Sequence, residues 1–207
     1  MENTHHDLFE RIKEMFMKYS IKSVTMDDIS RELGISKKTL YQCVVDKEDL
    51  VDKIFAAELV RVEAIIMSIK QTDLNAIAKF IESNKLMHEI MDNYDPGVYY
   101  DLRKYYPNVY SKLVNVRRKH TYEAMFNNLE QGKNEGLYRA EINSEIIAKM
   151  HVLKIEAMIE NDFVAGIDLP KAQVFNEIFT YHILGVCNEA GIIEFNKLTN
   201  NLTIENQ

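Results

Sequence analysis

The sequence predicts an all-α protein of two domains, and three observations support this. Apolar residues recur at intervals of three or four along most of the chain, which is the spacing of helices that bury one face. No stretch alternates apolar and polar residues convincingly, as a half-buried strand would. Only seven glycines and three prolines interrupt the 207 residues. We expect a head at residues 1–50, a larger helical domain at residues 51–195 and a frayed tail at residues 196–207.

The head opens with one helix and continues with two shorter helices. An apolar stripe marks the first helix, which should pack across the next two: Leu8, Ile12, Met15, Phe16 and Tyr19.

Two short helices joined by a glycine turn are indicated by residues 20–51. Thr25 can cap the first, because its hydroxyl can accept a hydrogen bond from a free backbone N–H. Asp27 and Asp28 follow in the first turn, where the helix dipole favours carboxylates. Gly34 stands where a helix ends in a left-handed residue, and Ser36 can cap the next helix. This arrangement is a helix-turn-helix motif, whose second helix enters the major groove of DNA.

Polar and basic residues dominate that second helix, and Leu40 is its one clear core residue. Lysine can reach guanine, glutamine can pair with adenine, and a threonine methyl can touch thymine. We therefore expect base contacts from residues 37–39 and Gln42, although Lys37 and Lys38 could instead bind phosphates only. Phosphate contacts are expected from Tyr41, Lys47 and the helix that begins at Thr25. The candidate DNA-binding residues are Thr25, Ser36, Lys37, Lys38, Thr39, Tyr41, Gln42 and Lys47.

A helical hairpin with a solvated basic face would show the same local pattern. The complete pattern, however, resembles the tetracycline-repressor (TetR) family of bacterial regulators, over residues 25–29, 33–36, 39–41 and 47–51. The resemblance covers about the first fifty residues and implies a homodimeric, nine-helix, ligand-responsive repressor.

The resemblance departs at Cys43 and Val44, where the family commonly has an aromatic residue or histidine and then phenylalanine. Val44 can fill a core site with less volume, whereas Cys43 cannot replace a phosphate-binding hydroxyl or imidazole. One usual backbone contact is therefore in doubt. Cys43 could also act as a redox switch, although cysteine is more often a small buried hydrophobe.

The net charge of −7 is unfavourable for a DNA-binding protein. The local field at the phosphates matters more, and residues 36–42 carry two lysines and no acid. We expect weak non-specific affinity and strong reliance on correct docking.

Three further features of the sequence indicate the cellular location of the protein. The absence of an apolar run of eighteen residues predicts no membrane span, and residues 1–7 lack the apolar core of a secretory signal. Cys43 and Cys187 have no paired spacing, which suits a reducing cytoplasm.

Six further helices are predicted, each bounded by a cap, a proline or a glycine: about residues 47–70, 74–87, 98–104, 108–133, 144–161 and 170–190. Asp73 and Asn143 are the predicted N-caps, and Gly136 and Gly191 are the predicted ends of two of these helices.

Catalysis and metal binding find no support in the sequence. The His88-Glu89-x-x-Asp92 segment lacks the second histidine of a zinc-protease helix, so a solvated helix face is the better interpretation and no metal site is expected. The sequence also lacks a recognisable catalytic triad and a glycine-rich phosphate loop, so we expect neither an enzyme nor a cofactor.

Residues 99–107 form an aromatic and basic run in the presumed sensor domain. Such a run can stack single-stranded nucleic acid. We favour packing between domains over contact with a ligand.

The eighth and ninth helices are the candidates for a dimer interface, as a four-helix bundle with their symmetry copies. Their apolar stripes contain Ile146, Met150, Leu153, Val174, Ile178, Tyr181 and Gly185. The alternative is ordinary core within one chain, and Cys187 is expected in interface packing.

The sequence thus predicts a cytoplasmic homodimeric transcriptional regulator, most simply a repressor. It would bind a pseudo-palindromic double-stranded DNA operator and respond to a small-molecule effector bound within residues 74–158. The rival interpretation is a helical dimer whose basic helix binds an acidic protein. No membrane partner is expected, and the pocket residues and the effector are not predicted.

Overall fold

The protein is all-α, as predicted. The structure is a computed structural model that describes residues 2–92, 95–160 and 170–205, and these residues form ten helices and no strand. In chain order they are α1 (Glu2–Tyr19), α2 (Met26–Leu33), α3 (Lys37–Cys43), α4 (Lys47–Gln71), α5 (Ala76–Asp92), α6 (Pro96–Tyr105), α7 (Pro107–Asn134), α8 (Ser144–Glu160), α9 (Lys171–Val186) and α10 (Glu189–Glu205). No helix in the described ranges is long and apolar enough to cross a membrane.

The tenth helix arises because the predicted ninth helix is broken. α9 ends at Val186, where Cys187 forms an isolated bridge with Tyr138. Asn188 then starts α10 by accepting a hydrogen bond from the backbone N–H of Gly191 at 3.0 Å. Gly191 therefore lies inside a helix instead of ending one, and residues 196–205 continue α10 where the sequence suggested a frayed tail.

The chain divides into two compact units, Met1–Glu63 with Asp95–Arg117 and Ala64–Tyr94 with Arg118–Gln207. Each unit is defined by residues that contact one another more than they contact the rest of the chain. The division into a head at residues 1–50 and a sensing domain at residues 51–195 is a division by role, and it remains a prediction.

The predicted caps of the first unit are confirmed. The Thr25 hydroxyl accepts from the backbone N–H of Asp28, whose side chain accepts from Thr25 in return, so the two form a capping box. Gly34 ends α2 with φ of 67°, a conformation that glycine adopts without strain. Ser36 caps α3 by accepting from the backbone N–H of Thr39 at 3.0 Å.

The core of the first unit joins α1 to the helix-turn-helix. Ile12 and Phe16 of α1 are buried together with Ile29 of α2 and Leu40 of α3. Val98, Leu102, Val109 and Leu113 of α6 and α7 belong to the same cluster. The aromatic run at residues 99–107 thus lies in the first unit. Its expected place in the sensor domain concerns its role and remains a prediction.

A buried carboxylate connects α6 to the loop before α2. Asp101 is 5% exposed and accepts hydrogen bonds from the Ser20 hydroxyl at 2.6 Å and the Lys22 backbone N–H at 2.9 Å. Ser20 has φ of 72°, a conformation that is unfavourable for residues with a side chain. The hydroxyl bond to Asp101 helps to hold Ser20 there, and this fixes how the chain leaves α1.

The second unit contains two of the predicted caps and one corrected cap. Asn143 caps α8 by accepting from Ile146 N, and Gly136 has φ of 67° after α7. Asn75, not Asp73, caps α5, because its side-chain oxygen accepts from Ala78 N at 2.9 Å.

The end of α7 shows how closely the second unit packs. The Tyr138 ring lies so near Gly132 that a Cβ there would be 2.1 Å from a ring carbon. The Tyr138 hydroxyl donates to the side-chain oxygen of Asn128 at 3.0 Å. Gly191 makes a similar approach, since a Cβ would lie 2.1 Å from the carbonyl oxygen of Leu137. The first approach packs α7 against the segment that follows it, and the second packs the start of α10 against the same segment.

We predict that Asp101→Ala destabilises the protein by about 1–3 kcal/mol, since it leaves two part-buried donors without their acceptor. Asp101→Asn keeps an acceptor and should cost less. Asp52→Ala, which removes only an exposed ion pair with Lys112, is the control and should cost below about 1 kcal/mol. Urea unfolding of the three variants measures these differences. Equal costs for Asp101→Ala and Asp52→Ala would contradict the prediction.

Candidate nucleic-acid interface

The surface of α3 has the exposure that the sequence suggested. Leu40 is fully buried, whereas residues 36–39, Tyr41 and Gln42 are exposed. Because Leu40 anchors the helix to the core, the polar residues around it are held at the surface on a short, capped helix. Their contact with DNA remains a prediction.

The exposed residues of α3 differ in what they are free to bind. Lys37 forms an ion pair with Asp27 of α2, and the Thr39 hydroxyl shares a hydrogen bond with the Ser36 hydroxyl at 2.8 Å. Lys38 and Gln42 have no ion pair or side-chain hydrogen bond with the residues that the structure describes. These two side chains can therefore contact a ligand without breaking an existing bond.

The Thr25 hydroxyl is occupied by the capping box. It donates to the Asp28 carboxylate at 2.6 Å and accepts from the Asp28 backbone N–H at 3.2 Å. The hydrogen bonds from Thr25 also lower the pKa of the Asp28 carboxyl. A phosphate contact at this end of α2 would therefore use the free backbone N–H groups of its first turn.

Lys47 lies at the start of α4 and is half-buried. Its ammonium donates to the carbonyl oxygens of Ile21 at 2.5 Å and Lys22 at 3.4 Å. Burial lowers the pKa of Lys47, and the nearby carboxylates of Asp101 and Asp28 act in the opposite direction. Lys47 thus braces the loop before α2, and the ammonium retains one N–H for the predicted phosphate contact.

A second lysine, which the sequence analysis did not single out, braces the end of α3. The Lys53 ammonium donates to the Cys43 carbonyl at 2.9 Å and to the Asp49 carboxylate at 2.8 Å. Asp49 also accepts from the backbone N–H of Val45 at 2.8 Å, and the bond from Lys53 is the main cause of its lowered pKa. The i, i+4 spacing of Asp49 and Lys53 was the available sequence signal, but it did not show the carbonyl contact.

The two cysteines occupy different surroundings. Cys43 is half-buried against the core of the first unit, and its thiol donates to the Thr39 carbonyl at 3.7 Å. Cys187 is buried in the core of the second unit, where burial raises its pKa to about 11. The expected role of Cys187 in interface packing is therefore corrected, because it packs within its own chain. A redox role for Cys43 remains untested.

The aromatic and basic run contributes structure to the first unit. Val98 and Leu102 of α6 are buried. The ammonium groups of Lys22 and Lys104 lie 4.9 Å and 5.4 Å from the centre of the Tyr105 ring. The contact from Lys22 joins α6 to the loop before α2, together with Asp101, whereas the contact from Lys104 lies within α6.

No group of three or more potential metal-ligating side chains occurs in the described part of the chain. His88 instead hydrogen-bonds to the Asn176 side chain at 3.1 Å and packs on the Phe175 ring. The side chain of Asp92 falls outside the described side chains.

The predicted dimer residues separate into two groups. Ile146, Met150, Leu153 and Tyr181 are exposed to 56%, 56%, 65% and 82%, and nothing lies within 4 Å of a Cβ at Gly185. Ile178 is half-buried, and Val174 is only 7% exposed, so Val174 belongs mainly to the interior of one chain.

Comparison with known proteins agrees with this geometry. Residues 8–54 match the family model described as bacterial regulatory proteins, tetR family. No curated protein matches the sequence.

Solved structures share the fold along most of the chain. A TetR/AcrR regulator from Thermobifida fusca is 14% identical, with a TM-score of 0.67 over 87% of this chain and 96% of its own. The ketosteroid regulator KstR2 of Mycobacterium tuberculosis is 20% identical, with a TM-score of 0.56 over 89% and 95% of the two chains. FadR from Bacillus subtilis, solved in complex with stearoyl-CoA, is 14% identical, with a TM-score of 0.63 over 88% and 99%.

Residues 8–54 are therefore similar to the tetR family of bacterial regulatory proteins, and the chain shares the all-α fold of solved transcriptional regulators along most of its length.

Proposed function

We propose that the protein is a cytoplasmic homodimeric repressor that binds a pseudo-palindromic operator and is released by a small-molecule effector. The observation that carries this proposal is the surface of α3. A capped helix anchored by Leu40 exposes Lys38 and Gln42 without partners in the described part of the chain. Rigid presentation of such side chains is what base recognition in the major groove requires.

An unpaired apolar stripe on α8 supports the dimer. Ile146, Met150 and Leu153 follow one another at i, i+4 and i+7, and each is more than half exposed. Large exposed patches of this kind mark interaction surfaces, because burial of apolar area contributes about 25 cal/mol per Å². Tyr181 of α9 is 82% exposed and can extend the same kind of surface. Two copies related by a two-fold axis would bury both helices as a four-helix bundle.

A dimer would also compensate for the small positive charge that each head presents to DNA. Lys37 is engaged by Asp27, so each α3 presents few free cations. One head would therefore bind weakly, whereas two joined heads act on two half-sites at once.

Release by an effector is supported by analogy with the solved relatives. FadR from Bacillus subtilis was solved with stearoyl-CoA, and another protein of the same fold is described as a gamma-butyrolactone receptor. Allosteric coupling of about 1–3 kcal/mol would change operator affinity about 5- to 150-fold.

Gln42→Ala should change the preferred base at one position of each half-site, with a discrimination loss of about 1–3 kcal/mol. Selection of randomised DNA by the wild type and the variant measures this, and Lys149→Ala on α8 is the control that should leave the consensus unchanged. The same consensus from Gln42→Ala would exclude Gln42 as a reader. Failure to select any consensus, with affinity for an acidic protein instead, would favour the rival interaction module.

Lys47→Ala should weaken binding to specific and random DNA alike, because a phosphate contact does not depend on the base sequence. It should also reduce the salt slope by about one unit for each phosphate that is no longer neutralised. Lys53→Ala is the matched control, because Lys53 also donates to a backbone carbonyl but is not proposed to touch phosphate. Fluorescence anisotropy across a salt series gives both slopes. If the two variants change the slope equally, bracing of the backbone explains Lys47 and the phosphate contact is excluded.

Leu153→Asp should convert the dimer to a monomer and lower operator affinity while the helical content is kept. The reason is that an unpaired carboxylate would be buried in the proposed bundle. Val60→Asp is the matched control, because Val60 and Leu153 are both 65% exposed and Val60 lies on α4 in the first unit. Light scattering gives the mass of each variant. An intact dimer for Leu153→Asp and for Tyr181→Asp would place the interface elsewhere.

A further inference from the structure

Two histidines face each other inside the second unit without hydrogen-bond partners. The rings of His151 on α8 and His182 on α9 lie 4.9 Å apart. His151 Nδ1 and His182 Nε2 are buried, and neither has a partner among the described residues. Buried polar atoms are nearly always hydrogen-bonded, so two neighbouring exceptions require an explanation.

Aromatic rings form one side of this histidine pair. The Phe80 ring lies 6.0 Å from the His151 ring and 5.7 Å from the His182 ring, and it stacks on Phe179 at 4.8 Å. These distances place the two histidine rings beside an aromatic surface built from α5 and α9.

A lysine adds a charge to the pair. Lys154 follows His151 by three residues on α8, so both project from the same side of that helix. Lys154 forms no ion pair or hydrogen bond within the described ranges. The other lysine of α8 differs, since Lys149 pairs with Glu145. We call His151, Lys154 and His182 the basic cluster.

Burial determines the protonation state of the basic cluster. Burial lowers the pKa of Lys154 to about 8 and that of His182 to about 3, and it lowers the pKa of His151 well below its ordinary value. The charge of Lys154 contributes to the lowered pKa of both histidines. At pH 7 the cluster therefore holds one ammonium and two neutral rings, and no carboxylate in the described part of the chain pairs with that ammonium.

This arrangement is costly unless an anion occupies it. An unpaired charge and two unpartnered nitrogens in an apolar interior lose their hydration and form no protein hydrogen bonds in its place. A metal ion does not fit, because the ammonium of Lys154 would repel it. A dianionic phosphate fits poorly, because the cluster contains a single cation and no arginine fork.

We propose that the basic cluster binds the carboxylate of a small organic acid, whose apolar body packs against Phe80 and Phe179. This inference rests on the proposed function, since it identifies that acid as the effector of the repressor. The carboxylate accepts from the Lys154 ammonium and from the N–H groups of His151 and His182. It thus supplies the acceptors that the cluster lacks.

Thermal unfolding of the full chain at pH 7 tests the site with benzoate and octanoate as probes. Benzamide and octanamide are the neutral matches. The carboxylates should raise the Tm in proportion to the logarithm of their concentration, and the amides should not. Titration calorimetry of the same four probes gives the affinities.

Lys154→Met should lower the affinity for the carboxylates at least about 10-fold, since it removes the charge-assisted bond. It should also raise the Tm of the ligand-free protein, because an unpaired part-buried charge is removed. A merely structural lysine would instead lower that Tm. His182→Phe should also weaken carboxylate binding. Lys149→Met, on the exposed face of the same helix, should change neither quantity.

Two results would overturn the site: carboxylates that stabilise the wild type no more than their amides, or an undiminished carboxylate response in Lys154→Met. DNA selected from a random pool then tests the effector role, since octanoate or benzoate should release it from the wild type and not from Lys154→Met. Binding of carboxylate without any binding of DNA would support the site and refute the proposed repressor. Binding of DNA without any response to carboxylate would refute the site alone.

Discussion

The buried carboxylate of Asp101 is the constraint on which the geometry of the head depends. It accepts from the Ser20 hydroxyl and the Lys22 backbone, and so it ties α6 to the turn between α1 and α2. Lys47 reinforces the same turn by donating to the carbonyl of Ile21. The cap at Thr25 follows directly, so the orientation of the helix-turn-helix depends on a helix some eighty residues further along the chain. A head of fifty residues alone would lack this anchor, because a part-buried donor without an acceptor costs about 1–3 kcal/mol.

Two buried polar sites of this protein differ in whether their hydrogen bonds are satisfied. In the first unit Asp101 has two donors, and in the second unit the basic cluster has no acceptor among the described residues. The physics is the same in both, since polar groups removed from water need partners. A satisfied group stabilises the scaffold that presents α3. An unsatisfied cluster lowers the stability of the ligand-free protein, and its groups gain hydrogen bonds when a ligand binds. Binding sites commonly reduce stability in this way.

The surface of α3 bears on the proposed binding of DNA by an acidic chain. Asp27 partly neutralises Lys37, which leaves Lys38 as the lysine of that helix without an ion pair in the described part of the chain. Electrostatic attraction of a single head is therefore modest, and most of the discrimination must come from shape, base contacts and the pairing of two heads. The exposed stripe on α8 is the surface through which we propose that pairing.

Local features of this protein were determined by the sequence, whereas contacts between distant segments were decided by the tertiary structure. Thr25, Gly34, Ser36 and Asn143 perform the predicted capping roles, because a cap depends on hydrogen bonds that span only two to six residues. The resemblance of residues 8–54 to the tetR family was visible for the same reason, since the motif is continuous in sequence. The break between α9 and α10, the place of α6 in the first unit, the bonds to Asp101 and the meeting of His151 with His182 join residues about 30 to 80 positions apart. Periodicity shows which face of a helix is apolar, but only packing decides which faces meet and which polar groups are then enclosed without a partner.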